Sequence, residues 1–123
     1  MFVRALKGKI HRGRVTETKV DYPGSIAVDA DILAQAGIET YEEVLVANVT
    51  NGQRVETYVV PAPAKSREII ILGAAARLFD VGDTVIIINF GYYSPEEAKK
   101  CKPKVVVLDE NNKINTRHSI LDV

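Results

Sequence analysis

Apolar and polar positions alternate with a period of two along most of this chain, the pattern of strands that bury one face. Leu6, Gly8 and Ile10 point one way and Lys7, Lys9 and His11 the other, which predicts a strand over 2–11. A second strand is expected from Val15 to Tyr22, ended by Pro23-Gly24, and a short extended piece from Ser25 to Asp29. Asp31 to Ala36 reads as a short helix, with Asp29 or Asp31 at its start and Gly37 as its stop. Val44–Val49 and Arg54–Val60 form strands about Asn51-Gly52, a strong hairpin signal, and Pro61 and Pro63 close the second of them. Glu68–Leu72 is a buried-looking strand, followed by the small-residue turn Gly73–Leu78. Gly82-Asp83 opens a strand over Thr84–Phe90 and is expected to be structural. Ser94-Pro95-Glu96-Glu97 starts a helix that runs to about Cys101, because Ser caps, Pro suits the first turn and both Glu meet the positive end of the helix dipole. Val105–Leu108 is the last clear strand, Asn111-Asn112 turns it toward Ile114, and the tail from Asn115 is polar. Many short strands with few helices predict a mainly β fold, a small closed barrel that hides its sheet edges.

At 123 residues, one domain over 1–123 is expected. Sixteen basic and sixteen acidic side chains cancel, which removes the electrostatic case for a nucleic-acid partner. No apolar run reaches the roughly 20 residues of a membrane-spanning helix. Met1–Lys7 lacks the apolar core of a signal peptide, so a cytoplasmic protein without a membrane partner is expected. The single cysteine, Cys101, cannot form an internal disulfide, and His11 and His118 have no ligand partners at metal-site spacing, so no metal is expected.

Phosphate loops, dinucleotide glycine motifs and serine-nucleophile elbows are absent. What remains is Tyr22-Pro23-Gly24-Ser25. By itself it is a turn: Pro fixes φ, Gly permits unusual backbone angles and Ser offers a local hydrogen bond. Two further groupings stand out. Lys9 and His11 share a strand face, and Arg54, Thr57 and Tyr58 follow the Asn-Gly turn. Each has a plain alternative: a solvated lysine, a hydrogen-bonded strand histidine, a surface arginine, a barrel-wall tyrosine.

The ordered set Gly8-Lys9-Ile10-His11-Arg12, Tyr22-x-Gly24-Ser25, Asn48-Val49-Thr50-Asn51-Gly52-x-Arg54-x-x-Thr57-Tyr58, Gly73-Ala74-Ala75-Ala76 and Val81-Gly82-Asp83 spans nearly the whole chain. In order and spacing it resembles the pyruvoyl-dependent aspartate 1-decarboxylases, which make β-alanine for the pantothenate pathway. The resemblance implies a double-psi β-barrel with short helices and a homotetramer with sites near subunit boundaries. It also implies a zymogen that cuts itself between Gly24 and Ser25 into 1–24 and 25–123. Ser25 becomes the covalent pyruvoyl group, which forms a Schiff base with L-aspartate; neither pyridoxal phosphate nor a metal is required, and the motifs name no maturation helper. Thr57 is then the oxyanion donor for processing and Tyr58 the acid that protonates the decarboxylated carbon. Lys9, Arg54, His11, Tyr22, Gly73, Ala74 and Ala75 become substrate-binding residues. A planar guanidinium suits a carboxylate, and the retained side-chain carboxylate is the one to grip, since holding the departing one would oppose its loss. Two positions depart from the family: Leu72 stands where Asn commonly precedes Gly-Ala-Ala-Ala, and Pro23 where an acidic residue is common. Thr57 and Tyr58 are adjacent, so sharing one site requires a bulge or a barrel rim. The competing expectation is an unprocessed double-psi barrel that acts as a binding module.

Overall fold

The computed structural model describes residues 1–115, so His118 and the end of the polar tail lie outside the described residues. Eight strands form one mixed sheet: β1 (Val3–Arg14), β2 (Glu17–Lys19), β3 (Ser25–Asp29), β4 (Glu43–Asn48), β5 (Arg54–Ala62), β6 (Ile69–Leu72), β7 (Thr84–Tyr93) and β8 (Lys104–Val107). Helices α1 (Ala30–Ala36) and α2 (Pro95–Lys100) and a 3-10 turn over Ala74–Leu78 complete the described elements. The strand order is β2-β6-β3-β5-β4-β7-β1-β8, with β2–β6, β3–β5 and β1–β8 parallel and the other pairs antiparallel. This is the mainly β, small double-psi barrel architecture.

The ladder does not close on itself: β2 and β8 are its two ends. Other groups bridge them. Asn112, after β8, accepts from Arg14 N at 2.8 Å and donates to the carbonyls of Arg14 and Arg67 at 2.9 Å each. Between β1 and β2, Val15 N donates to Asp83 O and Thr16 N to Ile69 O. Those crossing bonds are why Val15–Tyr22 is not one strand; only Glu17–Lys19 pairs, with β6.

One side of the sheet supplies the core. Val55, Val46, Ile87, Ile10 and Val106 form a rung across five strands, and Ile10, Val46 and Ile87 are fully buried. The next rung, Glu56, Leu45, Ile88, Lys9 and Val105, faces outward. The Asn51-Gly52 hairpin forms as expected, as a five-residue loop in which Gly52 has φ 79°. Strand β5 runs through Pro61, because beyond Tyr58 it pairs only with β3 and its other edge needs no N–H. Asp29, rather than Asp31, caps α1, and it also accepts from Lys65 N and Arg67 N, so its buried carboxylate is satisfied. Ser94 and Glu97 form a reciprocal capping box on α2. Asp83 is structural, as expected: it is buried and accepts from Asn48 Nδ2 at 2.7 Å and from Asp80 N at 2.9 Å. No helix among the described residues is long and apolar enough to cross a membrane.

Candidate active site

Ser25 opens β3 and pairs with Leu72, the last residue of β6. Its side chain is buried while Tyr22, Pro23 and Gly24 are exposed, so the chain enters the barrel at the Gly24–Ser25 step. The Ser25 hydroxyl turns back along the chain and donates to Pro23 O at 3.4 Å.

Immediately after Leu72, Gly73 adopts φ 86°, ψ −157°, a region open essentially to glycine alone. A Cβ there would lie 2.6 Å from Gly24 Cα, 2.9 Å from Gly24 N and 3.0 Å from Tyr22 O. Two glycine backbones therefore touch at the Gly24–Ser25 step. Gly73 N also donates to Lys19 O at 2.8 Å. Gly24 needs no unusual backbone angle, contrary to the turn reading: its φ is not positive, and a Cβ on it would meet nothing within 4 Å.

Strand β5 changes partner at this place. It pairs with β4 up to Glu43↔Tyr58 and with β3 from Ile26↔Val59 onward. Continuing the β3 register back one residue sets Ser25 level with Tyr58, on the face away from the core. Opposite Val59, two residues stand where one would suffice: Val59 N donates to Glu42 O at 3.1 Å, and Tyr41 N donates to Val59 O at 2.8 Å. This is a bulge whose first residue, Tyr41, takes the left-handed conformation at φ 72°. Lys7 Nζ holds both Glu42 carboxylate oxygens at 2.6 Å, and Glu39 N donates to Glu42 Oε1 at 2.7 Å, which fixes the bulge.

Where β4 swings away, an open cleft of about 530 Å³ appears, lined by Tyr41, Glu43, Thr57 and Tyr58. Adjacent Thr57 and Tyr58 thus share one cleft without a bulge in their own strand, because it opens at the rim where the ladder splits. Tyr41 and Tyr58 meet edge to face, with centroids 6.2 Å apart and planes at 60°.

The other candidates lie elsewhere. Lys9 is on the outward rung three strand spacings from β5, roughly 14 Å. Arg54 is exposed at the start of β5, four residues (roughly 13 Å) from Tyr58. His11 faces β8, and burial first, then the charges of Lys9 and Arg12, hold its imidazole below the ordinary histidine value. Its Nδ1 is buried without a partner among the described residues. Tyr22 is exposed, with Lys19 Nζ over its ring at 4.9 Å. Ala74 is exposed and Ala75 packs against the core. Cys101 sits at the Tyr93 hydroxyl, away from this site; that hydrogen bond, then burial, pushes the Tyr93 phenol up to about 12. The sequence reading missed Tyr41, whose backbone angle no local signal announces.

The aspartate decarboxylase family profile matches residues 1–115. A Coprothermobacter proteolyticus protein named Aspartate 1-decarboxylase is 50% identical over 114 residues, covering 93% of each chain. Proteins of the same name from Lactiplantibacillus plantarum and Campylobacter jejuni are 47% and 51% identical over 117 and 112 residues, covering 95% and 91% of this chain and 90% and 88% of their own. With the match running over almost its whole length, this chain belongs to the aspartate decarboxylase family.

Proposed function

We propose that the chain cuts itself between Gly24 and Ser25 and then removes the α-carboxylate of L-aspartate to give β-alanine and carbon dioxide, supplying the pantothenate pathway in the cytoplasm. The observation that carries the reading is the Gly24–Ser25 step itself: a buried serine behind an exposed glycine, clamped by Gly73, in a chain half identical to proteins named for this reaction.

In maturation, the Ser25 hydroxyl adds to the Gly24 carbonyl carbon as the Gly24–Ser25 C–N bond breaks, and the hydroxyl proton passes to the freed amine. The resulting ester then eliminates: the Cα proton of residue 25 is lost to water, the Cα–Cβ double bond forms and the Cβ–Oγ bond breaks, releasing 1–24 with a carboxylate end. Water hydrolyses the unsaturated residue 25 to a ketone with loss of ammonia. Thr57, on the rim of the cleft, supplies the hydroxyl that steadies the negative oxygen on Gly24 during attack. The surroundings fit a group made from residue 25. The side chain is shielded from water, and no side chain of residue 24 or 73 obstructs the carbonyl.

The pyruvoyl group, once made, supplies a sink for the electrons that the departing carboxylate leaves behind. The chain's own residues do the rest. Tyr58 delivers a proton to the carbon that lost carbon dioxide; a phenol is protonated at neutral pH and can donate without tuning. Arg54 and Lys9 grip the retained carboxylate, with Tyr22, His11, Gly73, Ala74 and Ala75 shaping the pocket around it.

Lys9 and Arg54 both lie on the outward face, apart from Ser25. The same face carries the half-buried apolar residues Leu45, Ile88, Ala47 and Ile86. An apolar outer face beside charged substrate-gripping residues supports a homotetramer in which a neighbouring copy completes each site.

Intact mass of the purified chain, light scattering and β-alanine formation without added pyridoxal phosphate test the reading. The expected result is two species, 1–24 and 25–123, in a tetramer that forms β-alanine, and one uncut, inactive chain for Ser25→Ala. A parent chain that stays uncut and forms no β-alanine overturns the reading in favour of an unprocessed binding module.

A further inference from the structure

We propose that Tyr41 is a positioning residue that fixes the Tyr58 phenol at the reacting end of the cleft. The inference rests on the decarboxylase reading above and adds to it a residue outside every motif that supports that reading.

Tyr41 is held at φ 72°, a conformation that glycine and asparagine adopt at little cost and an aromatic residue does not. Strain of this kind persists only where surrounding structure imposes it. Here the imposing groups are the two bonds to Val59 and the Glu42 carboxylate pinned by Lys7 and Glu39. Packing within the chain does not account for the tyrosine, since the residue is 74% exposed there. What the strained conformation achieves is the edge-to-face contact with Tyr58.

Tyr58 needs such a contact. It is 38% exposed, and among the described residues its hydroxyl makes no hydrogen bond. A phenol on an open rim samples several rotamers, and a proton donor must spend its time in one of them. A second ring across the cleft mouth removes the alternatives. Thr57, on the other lining strand residue, is too short to do so.

The test uses Tyr41→Asn, which keeps a residue tolerant of the left-handed region, and Tyr41→Phe, which keeps the ring. Each is made in the parent and in Tyr58→Phe. Cleavage is read by intact mass, stability by thermal melting, and kcat and KM by β-alanine formation. Tyr41→Asn is expected to cleave completely, to melt no lower than the parent, and to lose about tenfold in kcat with KM within about twofold, the upper reach of one aromatic pair. Tyr41→Phe should restore kcat. In the Tyr58→Phe background, Tyr41→Asn should cause no further loss, because the group it positions is gone. A parental kcat in Tyr41→Asn, a loss confined to KM, or an undiminished tenfold loss in the Tyr58→Phe background overturns the role. Should Asn disturb folding, Tyr41→Gly carries the same comparison. A parent that forms no β-alanine overturns both this role and the decarboxylase reading; a parent that does, beside an unaffected Tyr41→Asn, overturns the role alone.

Discussion

Replacing Gly73 by alanine should damage fold and maturation together, and the size of the damage follows from the geometry. Two penalties add. The first is conformational: φ 86°, ψ −157° lies where residues with a Cβ are strained by about 1–3 kcal/mol. The second is steric. The new Cβ would sit 2.6 Å from Gly24 Cα, inside any ordinary contact, and its neighbours there are backbone atoms, which cannot swing aside as a flexible side chain would. Relief requires moving the Tyr22–Ser25 segment or the start of the 3-10 turn, at the roughly 1–3 kcal/mol typical of overpacking. A destabilisation of about 2–6 kcal/mol is expected. In urea, with a slope of roughly 1–3 kcal/mol per molar, the midpoint should fall by on the order of 1–3 M at matched protein concentration. Because the displaced atoms include the peptide to be cut, cleavage into 1–24 and 25–123 should slow even where the variant is folded. Gly24→Ala is the control: its Cβ meets nothing within 4 Å and its φ is not positive, so its stability should match the parent within about 0.5 kcal/mol. If Gly73→Ala unfolds at the parental midpoint and cleaves at the parental rate, the contact between the two glycines is not what holds the Gly24–Ser25 step.

Arg54→Lys should cleave normally and lose about 1.5–3 kcal/mol of aspartate recognition, the worth of a hydrogen bond to a charged group, read as a fall in kcat/KM; an unchanged kcat/KM would remove Arg54 from the site. Tyr58→Phe should fold and cleave yet lose on the order of 10²–10⁴ in kcat, while Thr57→Val should show impaired cleavage first; intact mass and β-alanine formation separate the two steps. The folded His11 imidazole is held below the 6.5 of a free one, so as pH falls the unfolded chain takes up its proton first. That share of stability is intact above pH 6.5 and is lost as the pH drops from there through the folded value. His11→Gln should flatten that slope in urea midpoints taken at several pH values, and a His11 resonance, assigned as the one lost in His11→Gln, that titrates at or above 6.5 would contradict the account.

What the sequence conveyed about the fold was mostly local. Alternation at Gly8–His11 and Val44–Val49, the stop at Gly37, the Asn51-Gly52 turn and the Ser94–Glu97 cap each depend on neighbours within a few residues, and each formed; Leu6 does not share the face of Gly8 and Ile10 as expected, because the register shift between Leu6 and Gly8 sets it level with Phe90 on the outward face. The second strand was shortened by bonds to Asp83 and Ile69, which no local pattern around Val15 and Thr16 reveals. The candidate site divides the same way. Ser25, Gly24 and Gly73 were marked by residue type and order, but their contact depends on β3 pairing with β6, far along the chain. The difficulty posed by adjacent Thr57 and Tyr58 could not be resolved from β5 alone. Its answer lies across the ladder, where the bulge at Tyr41 and Glu42 sends β4 away just as β3 arrives. Tyr41 itself was illegible, because a tyrosine in the left-handed region is what the sequence statistics of turns argue against.

The separation of residues within one chain also orders the chemistry. Cutting the Gly24–Ser25 bond needs a hydroxyl, a bare carbonyl and an oxyanion donor. Ser25 and Thr57 come from strands that are neighbours in one sheet, Gly24 immediately precedes the first of them, and Gly73 presses from the turn after β6. In the proposed turnover, two cations would in addition hold a carboxylate. Placed beside a buried, uncut Ser25, those cations would carry a desolvation cost with no anion to offset it. On the proposed reading, Lys9 and Arg54 on the outward face would keep their hydration until substrate and a neighbouring copy cover them. His11 shows what nearby charge does: burial first, then the charges of Lys9 and Arg12, make it give up its proton more easily than a free imidazole. If the proposed maturation and assembly hold, a fold that builds its own prosthetic group would gain by keeping the cutting residues together in one chain and the gripping residues on a surface that assembly completes.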